Sequence, residues 1–209
     1  MTPPLLETAP DWLDVSRETV ERLQRFGDRV RKWNPAINLV SKADVDLLWQ
    51  RHILDSAQLF EFAPDKASRW ADLGSGGGFP GIVIAIIARE KNPGLEVHLV
   101  EADRRKAAFL AQAIRLLDLR TVLHVARIET LAGLGADVVS ARAVALLPVL
   151  CGHAVRHLAP GGMALFQKGE AAAAEVASCQ GIWQMDVARL PSRTGAAGVI
   201  LKIRNLQHV

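Results

Sequence analysis

Between Trp70 and Gly81 the chain reads WADLGSGGGFPG, a carboxylate followed by five glycines at 74, 76, 77, 78 and 81. A loop so poor in side chains exposes its amides and lets a ligand approach the backbone closely. Gly76, Gly78 and Gly81 satisfy the GxGxxG spacing of dinucleotide sites, and Glu101, about twenty residues farther on, could hold ribose hydroxyls. Asp72 changes that reading. A carboxylate beside the loop repels a pyrophosphate, yet it can interact, directly or through water, with a cationic amino-acid ligand. Phe79-Pro80 adds an apolar ring and fixes the entry to the next helix, which leaves a less open phosphate cradle.

Such a loop must be carried at the carboxyl edge of a sheet. From Trp70 onward, short apolar strands alternate with amphipathic helices, and strands are expected near 69–73, 96–101, 121–127, 136–141, 162–167, 182–189 and 197–204. Helices fall between them; over 104–117, Ala107, Leu110, Ala111, Ile114 and Leu117 share one face. The alternation predicts a doubly wound, mostly parallel α/β sheet of Rossmann-like type. Only SRTGAA separates the last two strands, so an antiparallel final hairpin is expected. That hairpin is the class I methyltransferase variation on the sheet. With Asp72 and Phe79, it favours S-adenosyl-L-methionine over a nicotinamide dinucleotide as cofactor.

Residues 1–66 are expected to form an N-terminal helical extension, with the Rossmann-like domain spanning 67–209. Ser16 suits an N-cap and Glu18 a first turn, after which Val20, Leu23, Phe26, Val30 and Trp33 follow helical spacing. Asn34-Pro35 is expected to end that helix. Ser41 and Asp44 resemble a capping box opening a second helix through about Phe60, with Val45, Leu48, His52 and Leu59 inward.

Composition bounds the function. The 209 residues are 50% hydrophobic and 22% charged, ordinary globular usage. The longest apolar run, Gly81 to Ala88, is far below the ~18 residues of a membrane span. The N-terminus lacks a charged-then-apolar signal pattern, so a cytoplasmic protein without membrane contact is expected, most simply a monomer. Residues 1–70 carry 10 basic and 11 acidic side chains and residues 71–209 carry 15 and 11, so the net charge of +3 arises in the C-terminal part. This permits an anionic partner such as nucleic acid. Cys151 and Cys179 form no CxxC pair and read as buried free thiols.

From about Val20 to its end the chain resembles the ribosomal small-subunit methyltransferase G family, also called glucose-inhibited division protein B. The carrying segments are KWNPAINLVS (32–41), RHILDS (51–56), DLGSGGGFPGI (72–82), VEADRRKAAFL (100–110), ARIE (126–129), SARA (140–143) and QKG (167–169). Two departures concern packing: Val40 stands where threonine is usual, and Gln167 where leucine is expected. The resemblance implies methyl transfer to N7 of a guanine, position 527 in the 530 loop of 16S rRNA, within the small ribosomal subunit or its precursor. It places the cofactor against Gly74, Phe79, the backbone at Ile128 and Glu129, and Arg142.

Guanine N7 carries a lone pair and no proton, so alignment rather than a general base is required. Arg142 and Lys168, following the fourth and fifth expected strands, are the candidate catalytic residues. Each could hold the cofactor carboxylate, guanine O6 or an RNA phosphate, the functional reading being favoured for Arg142; either could instead be a solvated strand-end charge. SARA contains neither the Asn-Pro-Pro-aromatic clamp for exocyclic amines nor a Pro-Cys nucleophile for pyrimidine C5. His153 and His157 lack the glutamate of HExxH, and no metal site is expected. His52 and Asp55 read as structural, and Arg22, Arg25, Arg29 and Lys32 as a solvated stripe that could touch phosphates. The competing functions are a nicotinamide-dinucleotide oxidoreductase, for which the chain offers no tyrosine, and a non-catalytic cofactor-sensing RNA-binding protein.

Overall fold

A computed structural model describes residues 9–195 and 197–209; part of the segment read for a signal pattern lies outside them. Seven strands form one sheet in the order β3-β2-β1-β4-β5-β7-β6. They are β1 Arg69–Leu73, β2 Glu96–Val100, β3 Thr121–His124, β4 Ala136–Arg142, β5 Leu158–Lys168, β6 Trp183–Pro191 and β7 Val199–His208. The first five run parallel, and β1, β2 and β4 at the centre are nearly continuously buried, as parallel strands covered on both faces are. β7 enters antiparallel between β5 and β6, giving the expected final hairpin. β3 is shorter than the expected 121–127, and β5 begins earlier than 162.

Helices cover both faces. α3 (Gly81–Lys91) and α4 (Arg104–Leu117) lie on one face with the N-terminal elements, where Phe26, Ile53, Phe79, Ile84 and Phe109 share a core. α5 (Leu147–His157) and α6 (Ala172–Ala177) cover the other, where Ala71, Val139, Leu150 and Phe166 pack. Both cysteines are buried and free, as expected. Among the described residues, no helix is long and apolar enough to cross a membrane.

α1 spans Arg17–Ile37, with Ser16 accepting the Thr19 amide at 3.3 Å as the cap. It continues three residues past Asn34. Pro35 removes one donor without stopping the helix; the stop comes where Asn34 Oδ1 accepts the Leu39 and Val40 amides at 2.7 and 2.9 Å, beside left-handed Asn38. The single helix expected from Ser41 to Phe60 is instead four short pieces. A 3-10 turn (Lys42–Asp44), a π-helical turn (Trp49–Leu54), α2 (Asp55–Ala57) and a second 3-10 turn (Gln58–Phe62) follow one another. Side-chain donors from the sheet compete here for its carbonyls: Arg142 reaches the Arg51 oxygen and Gln167 that of Asp55.

Candidate active site

The glycine loop leaves β1 at Leu73 and returns into α3 at Gly81. Its turn is closed by Gly78 and Phe79 amides donating to the Ser75 carbonyl, and Ser75 is tied to β2 through Val100. Gly74 has φ +67°, and a Cβ there would meet Val144 Cγ2 at 2.7 Å, so the segment after β4 lies directly on the loop. At Gly78 a Cβ would come within 2.9 Å of Phe26, which lets α1 brace the loop from the other side. Gly76 donates its amide to Glu101 Oε2 at 2.7 Å, while Oε1 accepts from Asp103. Glu101 therefore stands at the end of β2 against the loop, and its carboxylate orders the loop amides.

Asp72 lies beneath the loop. It is fully buried, accepts the Gly81 amide at 3.1 Å and takes the Ser140 hydroxyl at 2.8 Å; Ser140 in turn accepts the Trp70 indole N–H. The carboxylate anchors the N-terminus of α3 to β1 and β4. Burial pushes its pKa up to about 6, against the pull of its hydrogen bonds and of Arg142.

Arg142 ends β4 half-buried, with its guanidinium carbon 5.2 Å from the Phe79 ring centroid. The next residue, Ala143, has φ +53° and turns the chain back over the loop. Arg142, Ala143 and Asp55 border two adjoining clefts, of about 590 and 730 Å³. The larger runs between His52 and the connection from β6 to β7; the smaller runs toward Lys168.

Lys168 does not present a free ammonium. It donates to Glu175 at 2.7 Å and to the Ala145 carbonyl at 2.9 Å, while Glu175 also accepts the Leu147 amide. The pair holds the chain that covers Gly74. Ile128 and Glu129 sit on the 3-10 turn after β3, where the Ile128 carbonyl faces His157 Nε2 at 3.2 Å and Glu129 lies 3.6 Å from His153. The two histidines thus have separate partners.

The structure brings together Gly74, Gly76, Gly78, Phe79, Glu101 and Arg142, with Asp72 below and Lys168 behind. The structural reading of Asp55 holds: its Oδ1 accepts from Gln58, Ser192 and Thr194, and its other oxygen accepts from Gln167 of the sheet. Its partner on the sheet is Gln167, the departure at the QKG segment. Glu175 carried no sequence signal, and Asp44 was read only for its cap with Ser41, which the structure shows.

An S-adenosylmethionine molecule fits such a place: backbone amides on a left-handed glycine turn, an acidic residue at the end of β2 and an aromatic ring at the loop's end. Fold and site together define a Rossmann-like S-adenosylmethionine-dependent methyltransferase. Solved structures of that shape include a predicted O-methyltransferase from Agrobacterium tumefaciens, with TM-score 0.57 and 21% identity over 73% of this chain and 80% of that one. Another is an O-methyltransferase from Streptomyces achromogenes in complex with S-adenosylmethionine, with TM-score 0.55 and 16% identity over 88% and 89%. The profile described as rRNA small subunit methyltransferase G matches residues 19–202. A ribosomal RNA small subunit methyltransferase G from Cereibacter sphaeroides is 50% identical over 94% of this chain and 96% of its own length. The chain belongs to the ribosomal RNA small subunit methyltransferase G family.

Proposed function

We propose that the protein transfers a methyl group from S-adenosyl-L-methionine to N7 of guanine 527, in the 530 loop of 16S rRNA. The observation that carries the assignment to a site is Arg142, which lines both clefts and stacks on Phe79 of the glycine loop. When bound, the cofactor supplies an electrophilic methyl on a cationic sulfur. The chain's task is orientation, since N7 has no proton to remove. Arg142 offers a planar fork to guanine O6 or to the cofactor carboxylate. Glu101 and the backbone of Gly74 hold the cofactor side, the Gly76 amide keeping the Glu101 carboxylate in place, with Ile128 and Glu129 supplying backbone at its far end. Asp72 acts from below by fixing α3, and Lys168 by fixing the segment over Gly74.

The N-terminal extension, residues 1–66, supplies the substrate side, with His52 and Asp55 fixing Arg142 and Gln167 from behind, and the Rossmann-like domain supplies the cofactor side. The substrate is 16S rRNA in the small subunit or its precursor, and the protein acts as a cytoplasmic monomer. Radiolabelled methyl transfer to small subunits from cells lacking the modification tests the reading. Label at guanine N7 is expected. Absence of transfer, transfer to another atom, or calorimetric affinity for NAD comparable to that for S-adenosylmethionine would overturn it.

A further inference from the structure

His52 lies in the π-helical turn Trp49–Leu54, 9% exposed, and presents Nδ1 to Arg142 Nη2 at 2.6 Å. A guanidinium only donates, so Nδ1 carries a lone pair and the imidazole proton sits on Nε2. That nitrogen faces Asp44 Oδ2 at 3.6 Å, and Asp44 is ion-paired with Arg51 at 2.7 Å. The Arg51 carbonyl takes the other terminal nitrogen of Arg142 at 3.3 Å. Phe79 closes the remaining side, its centroid 5.2 Å from the imidazole. An acceptor, a carbonyl and an aromatic face therefore fix the guanidinium before any ligand arrives.

We propose that His52 is a positioning residue for methyl transfer: its Nδ1 lone pair aims the Arg142 fork into the cleft, the Arg142 donor fixes the tautomer, and the Asp44 carboxylate 3.6 Å from Nε2 favours the proton there by charge without a hydrogen bond. The proposal rests on the role given to Arg142 above. The charged groups facing the imidazole are Arg142 from β4, Asp44 from the preceding 3-10 turn and Arg51 from its own turn; the glycine loop faces it with Phe79. Burial and the Arg142 charge push its pKa down to about 4 against the pull of Asp44, so the ring is neutral and its acceptor intact at physiological pH. A protonated ring would lose the acceptor and repel the guanidinium.

The test compares wild type, Arg142→Ala, His52→Phe, His52→Asn and the His52→Phe/Arg142→Ala double variant. Single-turnover methyl transfer to unmodified small subunits is read together with cofactor affinity and melting temperature. Phenylalanine keeps the stack on Phe79 without a lone pair, whereas asparagine returns an acceptor near the Nδ1 position. His52→Phe is expected to lower by about tenfold or more whichever quantity Arg142→Ala lowers, as loss of a bond to a charged group does. His52→Asn should recover most of that loss, and the double variant should be no worse than Arg142→Ala alone. A wild-type rate and affinity in His52→Phe beside an impaired Arg142→Ala overturns the positioning role, as do additive losses or an asparagine variant no better than phenylalanine. If Arg142→Ala itself behaves as wild type, the assignment of Arg142 fails, and this proposal with it. Nitrogen-15 spectra of the wild-type imidazole give a check that needs no variant to fold: a proton on Nδ1 would overturn the proposal.

Discussion

The Asp72 carboxylate and the Gly81 amide meet at 3.1 Å inside the protein, so the first helix after the glycine loop is anchored by a fully buried acid. That acid titrates high, and its sign is specific. Between the ordinary value of 3.8 and the folded value of about 6, the unfolded chain releases the proton before the folded one. Asp72 therefore makes stability fall as pH rises through that window, by on the order of 3 kcal/mol at about 1.4 kcal/mol per unit. Asp72→Asn should flatten this part of the stability curve in denaturant titrations at successive pH values. An unchanged slope would refute the assignment.

Lys168 and Glu175 form a pair whose side chains are only 9% and 15% exposed. Removing one partner leaves the other buried and unpaired, so Lys168→Met and Glu175→Leu should each destabilise by about 3 kcal/mol, and the double variant by less than the sum. Urea unfolding measures all three. Simple additivity would mean that the two side chains do not act as a pair.

Gly74→Val places a branched side chain at φ +67° against Val144. The backbone strain alone costs about 1–2 kcal/mol, and the clash adds to it. Cofactor affinity should fall with stability. Adding Val144→Ala should restore part of the stability, because the neighbour being struck is named; no recovery would place the fault in the backbone alone.

Arg142→Lys keeps a charge but loses the planar fork that spans His52 and the Arg51 carbonyl. Methyl transfer is expected to drop roughly tenfold or more, with the melting temperature little changed. Full activity in the lysine variant would reduce the role of Arg142 to charge.

The sheet was legible because hydrophobic period and loop chemistry agree along residues 69–208; α4 begins and ends at the expected residues, 104 and 117. The glycine loop was legible for the same reason. The Ser41 to Phe60 segment was not, because its helical period is overridden by bonds to Arg142 and Gln167, residues about a hundred positions away in sequence. The environment of Lys168 is hidden differently, since Glu175 is only seven residues on but reaches it across a turn and α6. A lysine at a strand end looks alike in sequence whether it faces RNA or Glu175, and only packing distinguishes the two.

The position of β7 sets an order of events during synthesis. Every strand that carries the glycine loop and Arg142, β1 to β4, is complete once residue 142 has emerged, and these strands pair only with one another and with β5. β6 has no such independence: its one neighbour is β7, which also pairs with β5 and so alone joins β6 to the sheet. The cofactor half, β5 included, can therefore assemble while the last two strands wait. Until β7 arrives, β6 is an unpaired edge, and the connection that walls the larger cleft has nothing to hold it.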